Sequence, residues 1–148
     1  MNSLYPDIQT DRIAESRDWY CALLSLEVVF DSEWFVMLAD PDDDSLKIAF
    51  VAHDHETVLD GFRRPADGLL VTIEVDDVDA LDAHARRLGC EIGLALRDEP
   101  FGQRHFIAID PNGLQVDVMS TIPFAPEFVE ANQGAFGDGV QVTHGKER

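Results

Sequence analysis

The feature that most constrains this chain is an internal repeat. Residues 9–50, "QTDRIAESRDWYCALLSLEVVFDSEWFVMLADPDDDSLKIAF", lie over residues 75–118, "VDDVDALDAHARRLGCEIGLALRDEPFGQRHFIAIDPNGLQVDV". Identity between the halves is weak, but the order of elements agrees. Each half reads as a strand, an Asp-initiated helix, two strands, an Asp-Pro turn and a last strand. Asp11 lies over Asp77, and Asp40-Pro41 over Asp110-Pro111. The chain is therefore expected to be a duplicated βαβββ unit, with modules at residues 1–62 and 63–121 sharing one structural domain. Residues 122–148 are rich in Pro and Gly. They read as an extended arm anchored by Phe124, Phe128 and Phe136, followed by a disordered tail.

The local patterns support this division. In the second helix, over residues 77–88, Val78, Leu81, Ala85 and Leu88 follow helical spacing, with Asp76 or Asp77 as cap and Gly89 as stop. In the first helix, over residues 11–24, Ile13, Tyr20, Leu23 and Leu24 gather near one face, with Thr10 or Asp11 as cap. The strand-like runs are "LYPDIQ", "LEVVFD", "WFVMLAD" and "LKIAFVA", then "LLVTIEVD", "EIGLALRD", "RHFIAID" and "LQVDVMS".

Eleven basic residues against 29 acidic ones give a formal net charge of −18. Nucleic acid is bound by clustered Lys and Arg, so it is excluded as a partner, as is an anionic membrane surface. No apolar run is long enough to span a bilayer. "MNSLYPDIQTD" has neither the basic region nor the apolar core of a signal peptide, and Cys21 and Cys90 form no disulfide framework. A reduced, cytoplasmic protein is expected.

The segments "TDRIAESRDWYCALLSLEVVF", "IEVDDVDALDAHARRLG" and above all "EPFGQRHFIAIDPNGLQVDV" resemble the vicinal-oxygen-chelate superfamily. That superfamily includes glyoxalase I, extradiol dioxygenases and bleomycin-resistance proteins. The resemblance covers residues 4–120, and the acid-Pro-aromatic-Gly and DPNG elements are most similar to the bleomycin-resistance branch. It implies an α+β fold in which the two modules form one strongly curved mixed sheet around a cavity, with helices outside. It also implies a homodimer whose clefts are built from both chains.

Catalytic members hold a divalent metal through four inward His, Gln or Glu side chains. Carried onto this sequence, the resemblance places those positions at Leu4, Ala49, Leu70 and Asp117. Leu4, Ala49 and Leu70 have no donor atom, and one carboxylate holds a cation weakly, so neither metal nor other cofactor is expected. The remaining histidines are read more plainly. His53 and His55 form an H-x-H pair at a polar loop start, and His84 lies beside the apolar stripe of the second helix.

Alternation along the last strand puts Gln115, Asp117 and Met119 on one face and the packing residues Val116 and Val118 on the other. On the strand before, His105 and Ile107 share one face, Phe106 and Ala108 the other. The same rule sends Pro6, Lys47, Thr72 and Glu74 to the concave side. The expected ligand-binding residues are thus Glu74, Glu99, His105, Gln115 and Asp117, with Trp34 as a stacking surface. His105 and Asp117 either satisfy each other or exchange protons as acid and base. The favoured function is metal-free binding of a small organic compound, cationic or aromatic, in the manner of an antibiotic-resistance protein. The alternative is a metal-dependent or acid-base lyase, isomerase or dioxygenase of the same superfamily.

Overall fold

The computed structural model describes residues 1–137. Its elements run β1 (Asp7–Thr10), α1 (Ile13–Leu24), β2 (Glu27–Asp31), β3 (Phe35–Ala39), β4 (Lys47–Ala52), β5 (Leu70–Glu74), α2 (Val78–Arg87), β6 (Glu91–Glu99), β7 (Gln103–Ile109), β8 (Gln115–Thr121) and α3 (Pro126–Ala131). Each module is βαβββ, as the repeat requires. The strands divide between two four-stranded sheets rather than one continuous sheet, in the orders β1-β4-β3-β2 and β5-β8-β7-β6. In both, the first strand of the module pairs parallel with its last, and the other pairings are antiparallel. The same winding in both halves is the structural counterpart of the sequence repeat.

Helices cover one face of each sheet. Tyr20 and Leu23 of α1 meet Val36, Leu38, Ile48 and Phe50; Val78 and Ala85 of α2 belong to the same buried cluster as Phe106, Val116 and Val118. Each large side chain buried in this way contributes about 1.5–3 kcal/mol. Neither α1 nor α2 covers the opposite sheet faces, and β5 alternates exposed and half-buried residues along its length. No helix among the described residues is long and apolar enough to cross a membrane.

The helix starts differ from expectation in an informative way. α2 is capped by Asp77, whose carboxylate accepts from Ala80 N at 2.9 Å. α1 has Arg12 at its N-cap, without a side-chain cap bond, in place of Thr10 or Asp11. Thr10 belongs to β1, fully buried, and its hydroxyl donates to Asn112 across the module boundary. The two halves therefore superpose Arg12, not Asp11, on Asp77.

The DPNG turn fastens the modules together. Asp110 Oδ1 accepts from Asn112 N and Leu114 N, both at 2.8 Å, and Gly113 takes φ +75°, where a side chain would be strained. The turn presents Asp110 and Asn112 to α1. Tyr20 donates its hydroxyl to Asp110 Oδ2 at 2.9 Å, and Asn112 Nδ2 donates to Ser16 Oγ at 3.0 Å.

After β8 the chain is not simply an extended arm. Pro126, at the start of α3, fits a helix's first turn, where a missing N–H costs nothing. Phe124 stacks on Phe128 at 5.8 Å, and Phe128 and Phe136 complete a cluster over Phe101 in the β6–β7 turn. The expected disordered tail, residues 138–148, lies outside the described residues.

Candidate functional site: a carboxylate–imidazole–carboxylate group on the open face of the second sheet

His105, on β7, stands between two acids. Its Nδ1 lies 2.7 Å from Asp117 Oδ1 on β8 and its Nε2 lies 3.0 Å from Glu99 Oε1 at the end of β6. Backbone register brings them together. Arg97 pairs with His105, Ile107 with Asp117, and β6 carries two register shifts, between Ile92 and Leu94 and between Leu94 and Arg97. Those shifts sum to two residues, so β6 keeps its facing while sliding Glu99 within reach of the imidazole. His105 and Asp117 are each 6% exposed. Val116 and Val118 point the other way, into the helix-covered core.

Protonation follows from this geometry. Burial opposes a charge on His105, but the hydrogen bonds to Glu99 and Asp117 and the two negative charges outweigh it, holding its pKa above the usual histidine value. Both ring nitrogens face carboxylates, so only the imidazolium donates to both. Glu99 is held below the ordinary glutamate range, first by His105 and then by Arg97, which pairs with the same oxygen. Phe101 sets its ring edge against the imidazole at 6.2 Å. Arg97 and Phe101 were not anticipated from sequence. Their signal was the acid-Pro-aromatic-Gly turn, Glu99 to Gly102, which folds the aromatic back over the strand ends.

The other expected site residues lie apart from this group. Gln115 is exposed at the start of β8, in register with Leu70 and Ile109. Glu74 ends β5 and accepts from the Thr121 hydroxyl at 3.0 Å. Trp34 is in the other module, just before β3, and its ring stacks on His55 at 3.9 Å and 9°. His84 Nε2 meets Ala22 O at 2.8 Å, while His53 Nδ1 is buried without a partner among the described residues. Arg104 is bound to Asp79 and Asp98.

The fold family implies a metal, and the residues present do not fit one. Ala49 and Leu70 offer no donor, and Asp117 is engaged by His105. The position assigned to Leu4 also shifts. Leu70 stands two residues before Thr72, the register partner of Asp117, and the residue in the same relation to Asp7, the partner of Ala49, is Tyr5. Leu4 precedes the strand and is 83% exposed. Among the described residues, no group of three or more His, Cys, Asp or Glu is placed to hold a metal ion.

Twin βαβββ modules, each with a helix-covered and an open sheet face, define the class of protein. The family model of the Glyoxalase/Bleomycin resistance protein/Dioxygenase superfamily matches residues 4–118, and the chain belongs to that superfamily. No curated protein matches it in sequence. Among solved structures, it is similar to a glyoxalase/bleomycin resistance protein/dioxygenase family enzyme from Burkholderia phytofirmans PsJN, at 21% identity and a TM-score of 0.67, over 80% of this chain and 97% of that one. It is similar to TnmS3, an antibiotic binding protein from Streptomyces sp. CB03234, at 17% identity and 0.65, over 82% and 96%. It is also similar to the bleomycin resistance determinant encoded on transposon Tn5, at 18% and 0.62, over 82% and 98%. At these identities the likeness is one of fold.

Proposed function

We propose that the protein binds a small organic molecule, cationic or aromatic, on the open sheet faces, as a cytoplasmic homodimer and without a metal. The observation that carries this reading is the commitment of Asp117 to His105, with the donor-free Ala49 and Leu70 at two of the other three positions where a metal would need donors. An acid-base role is disfavoured by the same group. Both nitrogens of His105 are taken by carboxylates, so neither is free to exchange a proton with a substrate. What the group offers is fixed charge. Glu99 and Asp117 are matched by the His105 imidazolium and the Arg97 guanidinium, so the group is locally balanced beneath an aromatic edge, and it is the charge of −18 that attracts cations from a distance. Relatives in fold include an antibiotic binding protein and a bleomycin resistance determinant, which agrees with this chemistry.

The test is a thermal-shift and calorimetric screen of the metal-stripped chain against bleomycin and a set of planar aromatic amines. Binding raises the melting temperature according to RT ln(1 + [L]/Kd). The reading requires at least one compound to stabilise the metal-stripped protein and to lose that effect in Asp117→Asn. If turnover of a glyoxalase or catechol substrate appears on adding Ni, Zn, Fe or Mn, the enzymatic alternative replaces it.

A further inference from the structure

A second cavity, away from His105, opens between the two modules and encloses about 680 Å3. Leu23 and Leu24 at the end of α1, Leu81 of α2, Ile48 of β4, and Val71 and Ile73 of β5 make most of its wall. Its polar lining is unequal. Asp77 accepts from Ala80 N, Asp40 from Asp42 N and Asp43 N, Glu74 from Thr121, and the His84 ring meets Ala22 O. The ammonium of Lys47, a half-buried residue of the same wall, makes no hydrogen bond or ion pair with any described residue.

Such a lysine is out of place on general grounds. Its stem gains by lying along apolar surface, which leaves the ammonium at the rim of that surface without an acceptor. Elsewhere in this chain carboxylates abound, and most arginines that line the helices and β6–β7 are paired. What the cavity lacks is therefore a single acceptor opposite Lys47, attached to a body that leucine and isoleucine can cover. We propose that this cavity binds an apolar molecule with one anionic end, a carboxylate or sulfonate, held by the Lys47 ammonium. The volume falls within the range of ligand pockets, about 300–1,000 Å3. The neighbouring acids Asp40, Glu74 and Asp77 limit the ligand to a single negative charge. This cavity lies apart from the His105 group but shares Glu74 and the open-face side of β4 and β5 with the proposed binding surface; its probes answer to Lys47 and the open-face ligand to Asp117, so the two readings fail separately.

Two fluorescent probes of matching shape test it on the full chain: anilinonaphthalene sulfonate, an anion, and N-phenyl-1-naphthylamine, its neutral counterpart. Net charge −18 repels the sulfonate, so its tight binding requires a local cation. Both probes are expected to bind at one site per folded chain. Lys47→Gln should weaken the sulfonate by about tenfold or more, the scale of a charged hydrogen bond, and leave the neutral probe unchanged. Ala80→Trp, at an exposed cavity-lining position, should block both without altering the far-ultraviolet spectrum. An equal effect of Lys47→Gln on both probes, or no effect on either, overturns the anionic end. Unchanged binding of both probes to Ala80→Trp overturns the cavity. Failure of the sulfonate to bind the wild-type chain overturns the proposal as a whole.

Discussion

The Tyr20 hydroxyl donates to Asp110 Oδ2 at 2.9 Å, joining the helix of one module to the turn of the other across 90 residues of sequence. Tyr20 is fully buried and Asp110 is 5% exposed. Burial and the adjacent carboxylate push the phenol's pKa far up, so it remains a neutral donor at any pH at which the protein is folded. Tyr20→Phe removes that donor from a buried acid while two backbone donors remain. Urea unfolding should show a loss of about 1–3 kcal/mol. Asn112→Ala, which deletes the bonds to Thr10 and Ser16, should cost a comparable amount. The double variant should fall short of the sum, because both act on one turn.

The acid–imidazole–acid group makes stability depend on pH in two directions. His105 has a folded pKa above its ordinary value of 6.5, so its contribution is complete below about 6.5 and fades as pH rises through the raised value. Glu99 is lowered from 4.5, so its contribution is present above about 4.5 and is lost as pH falls further. Melting temperatures should therefore decline from pH 6 toward pH 9 more steeply in the wild type than in His105→Gln. A proton-NMR titration should give His105 a midpoint above the ordinary histidine value, and Asp117→Asn should lower it.

Divalent metal should do little to the wild-type chain. Without a convergent donor set, Mn, Ni or Zn added at micromolar concentration should leave the melting temperature unchanged. Placing donors back at the open positions, as Leu70→His with Ala49→Glu, should produce a metal-dependent rise. A large rise in the wild type would contradict the reading of the site.

Gly102 sits at φ +84° in the β6–β7 turn, and a Cβ there would approach Ile122 O to 3.1 Å and the Phe124 ring to 3.2 Å. Gly102→Ala should cost about 1–3 kcal/mol and loosen the aromatic arm from Phe101. Increased protease sensitivity near residue 125 would report that loosening. Full stability in this variant would show that the arm tolerates movement.

Much of this was legible in the sequence because it depends on local period. Alternation put Val116 and Val118 into the core and left His105 and Asp117 facing together. The repeat supplied the βαβββ order of each module. What could not be read was set by distant contacts. Thr10 looks like a helix cap, yet its hydroxyl is drawn to Asn112, 102 positions away, and the helix begins later. That shift makes Tyr5, rather than Leu4, the counterpart of Leu70. The place of Glu99 depends on two bulges in β6, which no count of alternating residues contains. Trp34 carried a stacking signal, but it found its planar partner in His55 within its own module.

The fastening between modules also has a direction. With Arg12 superposed on Asp77, Tyr20 corresponds to Ala85, a fully buried residue whose side chain has no hydrogen-bond donor. Asp40, the counterpart of Asp110, spends one oxygen on its own loop, accepting from Asp42 N and Asp43 N. The second half thus inserts a turn and the first half receives it, with no reciprocal insertion among the described residues. Two units of the same topology are host and guest. Exchanging their order in the gene would therefore leave a peg without its socket, though every strand and helix remained.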